Sequence, residues 1–226
     1  MSARLGLSSG SAPGLDAPEF AALVRRAGGT VADLRAGKGH RWEEQGVAGL
    51  CGLPVSFVGI SVTLGRPGGT GEAAEAAERF PGEAVKVFAA PGALDAEATA
   101  GQMRALTADR KPEQVLVETH RGGAEPDELV KLCERYGCRL VLDNLGLYDI
   151  AADFSEALGD LAPLTAAVQV KGFEPDRAHR PLTDGDLGWL AVFRNARVDV
   201  TVESRAGTPH QDLRVLRTAW EAVECA

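Results

Sequence analysis

The strongest constraint in this sequence is an alternation, repeated from end to end, of short apolar β-branched runs with amphipathic helical patterns. Several runs are almost wholly apolar, such as 115–117 and 140–142, which is typical of parallel strands covered on both faces. The alternation therefore predicts a parallel sheet with helices between its strands. The strand segments are Arg4–Ser8, Thr30–Leu34, Val55–Ile60, Ala84–Phe88, Gln114–Glu118, Arg139–Asp143, Ala166–Val170 and Val198–Val202.

Eight strand–helix units predict a single α/β domain over residues 1–226, a compact (β/α)8 TIM barrel. The alternative is an open doubly wound sheet, but its glycine-rich dinucleotide fingerprint is missing after the first strand, where 8–13 reads SSGSAP. Asp16 and Glu19 predict a capped start for the first helix. The second and seventh crossovers are predicted as short helices near Glu43–Leu50 and Asp186–Phe193.

The composition and charge limit the kinds of molecule that the protein is expected to bind. The formal charge of −8 and the pI near 5.1 oppose a polyanion-binding surface, so we expect a small-molecule substrate and no nucleic acid. No apolar run approaches a membrane span, and the start Met1-Ser2-Ala3-Arg4 lacks the apolar stretch of a signal peptide. The expected location is cytoplasmic, without membrane contact. Short loops imply an open barrel mouth, which a homo-oligomer could complete.

Three carboxylates follow apolar strands at the end where barrel enzymes hold their function: Glu118, Asp143 and Glu203. Converging buried carboxylates repel one another, and a hard divalent cation would relieve this. The alternative is that each pairs separately with a basic neighbour such as Lys171 or Arg205, or caps the following helix.

Other polar residues share these strand ends. On a strand, His120 points to the same side as Glu118, Lys171 to the same side as Gln169, and Arg205 to the same side as Glu203. A loop carrying His40 and Arg41 is expected to reach over the barrel mouth. The substrate-binding candidates are His40, Arg41, Lys171 and Arg205.

In order and spacing, these motifs resemble the xylose isomerase-like barrel superfamily of sugar phosphate isomerases and epimerases. The matching segments lie at 118–120, 143, 169–171, 181–189 and 203. The resemblance implies a divalent metal, Mn2+ or Mg2+, held by Glu118, Asp143, Gln169 and Glu203. It also implies an isomerase, epimerase or dehydratase (lyase) that converts a small polyhydroxy carbonyl compound through an enediolate. Glu118 and Glu203 would be the proton-transferring pair, and His120 a further acid or base.

Two positions depart from the family pattern. Gln169 stands where the family usually has a ligand histidine, and the resemblance is to dehydratases of the superfamily that carry glutamine there. The amide oxygen of Gln169 favours Mn2+ or Mg2+ over zinc. Gly146 replaces a histidine that some relatives use as a base or ligand. These departures leave a second interpretation: a metal-free or non-catalytic small-ligand-binding descendant, or an enzyme with a recruited reaction in a biosynthetic pathway. The third interpretation is a repair endonuclease, since AP endonucleases share this barrel. Their multi-zinc cluster needs more histidines than the four in this sequence.

Overall fold

In the computed structural model, which describes residues 3–67 and 69–225, eight parallel strands form a closed barrel in chain order. The prediction of a (β/α)8 barrel is confirmed. Seven of the eight strands begin and end within a residue of the predicted bounds, and β3 runs four residues further. The strands are β1 Arg4–Ser8, β2 Val31–Arg35, β3 Val55–Leu64, β4 Val85–Ala89, β5 Val115–Glu118, β6 Arg139–Asp143, β7 Thr165–Val170 and β8 Asp199–Val202.

The described residues include seven α-helices. Their bounds are α1 Ala17–Arg26, α2 Gly69–Glu78, α3 Glu97–Leu106, α4 Pro126–Tyr136, α5 Asn144–Ile150, α6 Phe154–Leu161 and α7 Pro209–Cys225. The capped start of the first helix is confirmed, because Asp16 accepts from the Glu19 amide at 2.9 Å and Glu19 accepts from the Asp16 amide at 3.1 Å. None of the described helices is long and apolar enough to cross a membrane.

The second and seventh crossovers differ from prediction. Each contains two short 3-10 helices in place of an α-helix: Arg41–Glu44 and Val47–Leu50 in one, Asp184–Asp186 and Gly188–Phe193 in the other. In the second crossover, Gly46 takes a left-handed φ of 65° between the two turns. Segments of three to six residues are too short to repay the entropy of nucleating an α-helix, so the tighter 3-10 turn prevails.

By internal contacts the chain divides into two units, Met1–Ser56 with Ala167–Ala226, and Phe57–Ala166. In the first unit, β1 pairs with β2 and β8, and β7 pairs with β8. In the second unit, β4 pairs with β3 and β5, and β5 pairs with β6. Each unit holds its own cluster of polar side chains at strand ends. A single domain over residues 1–226 stays a prediction.

Candidate functional site

Glu203 lies at the centre of a cluster of cations in the first unit. It follows β8 directly, its side chain is 3% exposed, and it forms ion pairs with three basic residues. Its Oε1 lies 2.6 Å from Nη1 of Arg35 and 2.7 Å from Nη2 of Arg205, and its Oε2 lies 2.9 Å from Nζ of Lys171. These four residues are called the Glu203 cluster below.

The charges of the cluster decide the ionisation of Glu203. Burial alone would raise its pKa, but Lys171, Arg35 and Arg205 together outweigh burial and hold the pKa well below its usual range. Glu203 is therefore an anion at any physiological pH. A carboxylate held by three cations has little affinity for a further proton, and this position favours a role in binding over one as a base.

A second layer of polar groups lies one strand pleat away from the cluster. Asp33, Gln169 and Thr201 precede Arg35, Lys171 and Glu203 by two residues on β2, β7 and β8, so each pair shares a face of its strand. Asp33 Oδ2 accepts from Gln169 Nε2 at 3.2 Å and from the Thr201 hydroxyl. Burial raises the pKa of Asp33 to about 6, against the hydrogen bonds from Ser8 and Thr201.

Two histidines flank the Glu203 cluster. His40 is buried beside Ser9, with 3.3 Å between Nδ1 and Oγ, and Ser9 Oγ in turn accepts from the Arg35 amide. Burial and then the charge of Arg35 lower the pKa of His40. His179, in the loop after β7, has its pKa lowered by burial and then by Lys171 and Arg205. Both rings are therefore mainly neutral near pH 7.

In the second unit, Glu118 at the end of β5 forms a buried ion pair with Lys86 of the neighbouring strand β4. The Lys86 ammonium lies 4.1 Å from the centroid of the Phe88 ring, a cation–π contact. The His120 ring also packs against Phe88, with 4.4 Å between the ring centroids. Its Nδ1 is 3.9 Å from Glu118 Oε1. The imidazole is about half exposed.

Asp143 ends β6 and caps α5. Its Oδ1 accepts from the Gly146 amide at 2.9 Å, and its backbone is fixed by Thr119, whose hydroxyl bonds both its amide and its carbonyl. The absence of a histidine at position 146 has a steric reason. A Cβ on Gly146 would lie 2.0 Å from the Thr119 carbonyl oxygen, so no side chain fits without moving the backbone after β5.

The predicted site residues thus fall into different settings. Gln169, Lys171, Glu203, Arg205 and His40 lie together in the first unit, and Glu118, His120 and Asp143 lie in the second. Arg41 instead donates to the Gly14 carbonyl at 3.2 Å and lies 4.0 Å from Glu19, on the loop and helix after β1. Glu118 and Glu203 pair with basic side chains, and Asp143 caps the following helix. These contacts match the alternative in the sequence analysis, in which each carboxylate has its own local partner.

Sequence reasoning missed Asp33, Arg35 and Lys86. A signal was present, because each is a charged residue inside a short apolar strand and so must have a partner when buried. Asp33 and Arg35 alternate with apolar residues on β2, and Lys86 and Phe88 do the same on β4.

Three of the four predicted metal ligands already have other partners in the structure. Glu203 faces three cations, Glu118 faces Lys86, and the Gln169 amide is oriented by its bond to Asp33. A metal beside these ammonium and guanidinium groups would be repelled. Within residues 3–67 and 69–225, no three histidine, cysteine, aspartate or glutamate side chains are grouped to hold a metal ion. The metal site stays a prediction that the donor chemistry does not support.

No family model and no curated protein matches the sequence. Among solved structures, a xylose isomerase domain containing protein from Salmonella typhimurium LT2 has a TM-score of 0.69 at 15% identity, over 100% of both chains. L-ribulose 3-epimerase has a TM-score of 0.68 at 14% identity, over 99% of this chain and 96% of the other. The probable 3-DHS dehydratase AsbF from Bacillus anthracis has a TM-score of 0.62 at 13% identity, over 96% and 99%. The chain has the fold of the xylose isomerase-like TIM barrels, as the resemblance in sequence predicts.

Proposed function

We propose that this protein is an enzyme that moves a proton on carbon in a small polyhydroxy carbonyl compound, as an isomerase, epimerase or dehydratase. The observation that carries the proposal is the buried pair of Glu118 and Lys86, a carboxylate at the end of β5 beside an ammonium from within the neighbouring strand β4. Two proteins of the same fold, L-ribulose 3-epimerase and the probable 3-DHS dehydratase AsbF, are named for reactions of this kind.

The pair contains the two groups that such chemistry needs. The Glu118 carboxylate would take the proton from the carbon next to the carbonyl, and the C–H electrons would form the C=C bond of an enediolate. The Lys86 ammonium would donate to the oxygen on which negative charge develops. His120, half exposed and 3.9 Å from Glu118, would exchange a proton with a substrate oxygen. Return of the proton to either carbon, or loss of a neighbouring hydroxyl as water, decides among the three reactions.

The predicted metal has no step in this scheme. The family resemblance implies Mn2+ or Mg2+, which would polarise a carbonyl, but Glu118 and Glu203 are both neutralised by basic side chains. In the proposed reaction, Lys86 supplies positive charge at the developing oxyanion. Glu203 as the second proton-transferring residue stays a prediction, weakened by its three ion pairs.

Solvent isotope exchange tests the proposal without knowledge of the exact substrate. The protein is incubated in D2O with ketopentoses, ketohexoses, their phosphates and hydroxy-keto acids, and deuterium at the carbon beside the carbonyl is measured by NMR. We expect exchange with at least one compound, and a loss of about 100-fold or more in Glu118→Gln. Glu113→Gln, an exposed change just before β5, is the control and should exchange at the wild-type rate.

The second candidate is a non-catalytic binding protein, and the observation that favours it is the pairing of each strand-end carboxylate with a local partner. Under that function, a compound of the panel would bind without exchange, and Glu118→Gln would bind it as tightly as the wild type. That result would contradict the enzymatic proposal.

A further inference from the structure

We propose that Arg35, Lys171 and Arg205 form an oxyanion-binding site, which takes a carboxylate or phosphate group of the ligand. The inference rests on the proposed function for the remainder of the ligand, a small polyhydroxy carbonyl compound, and it adds the chemical class: an acidic one. The binding of the oxyanion itself can be measured independently of catalysis.

The first support is an imbalance of charge. Three cations surround one carboxylate, Glu203, so the cluster carries an excess of positive charge. Asp33, the next carboxyl group inward, already bonds Thr201 and Gln169. The carboxylate of Glu43 accepts from the amides of Gly37, Lys38 and His40. These hydrogen bonds of Asp33 and Glu43 go to donors outside the Glu203 cluster, and an anion from solution would add to its charge balance.

The second support is the number of donors still available. Arg35 bonds Glu203 through Nη1, and Arg205 bonds the same Oε1 through Nε and Nη2. Among the described residues, no hydrogen bond uses Nε or Nη2 of Arg35 or Nη1 of Arg205. The side chains of Arg35 and Arg205 are 29% and 40% exposed, so these N–H groups are accessible from solvent. Arginine N–H groups match the oxygens of carboxylate and phosphate.

The third support is the state of the flanking rings. The pKa of His179 is lowered first by burial and then by Lys171 and Arg205, and Arg35 acts in the same direction on His40. Cations of the Glu203 cluster thus lower the pKa of both rings, in addition to the larger effect of burial and against the charge of Glu203. A purely structural role for Glu203 would need one cation, and two more converge on it despite their mutual repulsion. A bound oxyanion would relieve that repulsion.

Titration with inorganic phosphate and with gluconate tests the inference, at ionic strength held constant with NaCl. Each histidine is followed by its Cε1–H resonance in NMR. We expect the resonances of His40 and His179 to move with saturation and those pKa values to rise, because an anion offsets the positive field. His210, exposed on α7, serves as the internal reference. The two anions separate a phosphate from a carboxylate specificity.

Variants test whether the anion binds at the Glu203 cluster. Arg205→Gln should weaken the binding of the preferred anion at least tenfold, and Arg205→Lys, which keeps the charge, should weaken it less. Arg194→Gln removes an exposed arginine of the same unit that has no ion pair among the described residues, and should leave binding unchanged. Circular dichroism of each variant checks that it is folded.

Three results would overturn the inference. The first is that the histidine resonances respond no more to phosphate or gluconate than to NaCl. The second is that Arg205→Gln and Arg194→Gln lose equal anion affinity. The third is saturable Mn2+ binding that needs Glu203. Failure of the proposed function gives a different pattern: anion binding at the cluster with no deuterium exchange in any compound. Exchange confined to neutral sugars, with no anion effect, would retain the enzyme and reject the oxyanion site.

Discussion

At Glu203 and Asp33, burial acts on two carboxyl groups with opposite results, and the difference lies in their partners. Glu203 meets three cations, and their charges lower its pKa despite burial. Asp33 meets neutral donors and the negative charge of Glu203, so burial prevails and raises its pKa to about 6. Both effects are readable as a dependence of stability on pH, because a shifted pKa changes the protons bound in the folded state.

Asp33→Asn should stabilise the protein at alkaline pH and have little effect at acid pH. Since the pKa of Asp33 is raised from 3.8 to about 6, the folded state holds the proton more tightly than the unfolded chain. That contribution is full below about pH 4 and is lost as the pH rises through about 6. Asparagine cannot ionise, so we expect a gain of about 3 kcal/mol in the free energy of unfolding at pH 8. Urea unfolding at pH 4 and pH 8 measures it, and an equal change at both pH values would refute the argument.

Glu203→Gln should have the opposite dependence. The lowered pKa of Glu203 gives a contribution that is present above its ordinary value of 4.5 and is lost as the pH falls below it. At pH 7 the variant leaves three cations without their carboxylate, for which we expect a loss of about 3 kcal/mol. The loss should shrink between pH 4 and pH 2.

A matched control for Glu203→Gln lies at the other end of β8. Asp199 begins β8 and pairs with Arg4, whose side chain is 46% exposed. Asp199→Asn should therefore cost about 1 kcal/mol, less than Glu203→Gln, because solvent screens a pair whose arginine is about half exposed. Comparable losses in the two variants, measured by urea unfolding at pH 7, would show that the Glu203 cluster has no special stability.

At the scale of elements, the strands were predictable because their apolar runs are short and bounded by turn residues. The second and seventh crossovers were not, because a segment such as 41–50 contains apolar residues at helical spacing while Gly46 interrupts it. The strand-end carboxylates were found as candidates from their position alone. Their partners were not: Arg35 and Lys86 are far from Glu203 and Glu118 in sequence, and only the strand register brings them together.

The junction between β6 and α5 offers a test at this scale. A Cβ on Gly146 would lie 2.0 Å from the Thr119 carbonyl oxygen and 3.0 Å from the His120 Cα, so Gly146→Ala should cost at least about 2 kcal/mol. Gly159 in α6 has no atom within 4 Å of an added Cβ. Gly159→Ala should therefore stabilise the protein by about 0.5–1 kcal/mol through helix propensity. Thermal unfolding of both variants gives the comparison, and a neutral Gly146→Ala would contradict the close packing.

At the scale of the whole molecule, net charge and local charge point in different directions. The chain carries a formal charge of −8, which opposes the binding of polyanions and would attract divalent cations weakly to many surface carboxylates. The Glu203 cluster is locally positive. Small ligands respond to the local field within a Debye length of about 10 Å, so an acidic small molecule is compatible with an acidic protein.

The change in melting temperature on addition of Mn2+ distinguishes a specific metal site from weak binding to surface carboxylates. A specific site with a hundredfold excess of metal over its dissociation constant would stabilise the folded state by about 2.7 kcal/mol. For a chain of 226 residues, this corresponds to a rise of roughly 5–10 °C. Because Glu118 and Glu203 are already paired with basic side chains, we expect a rise below about 1 °C with 1 mM Mn2+ or Mg2+, as for weak surface binding.

Glu203→Gln makes the metal experiment decisive. If the wild type gains several degrees with Mn2+ and the variant gains none, a metal site that includes Glu203 forms when metal is present. The ion pairs of Glu203 would then describe only the metal-free protein. If neither protein responds to Mn2+ while phosphate or gluconate raises the melting temperature of both, and at least as much in Glu203→Gln because its three cations lack their carboxylate, the Glu203 cluster receives an anion and positive charge in this unit comes from side chains.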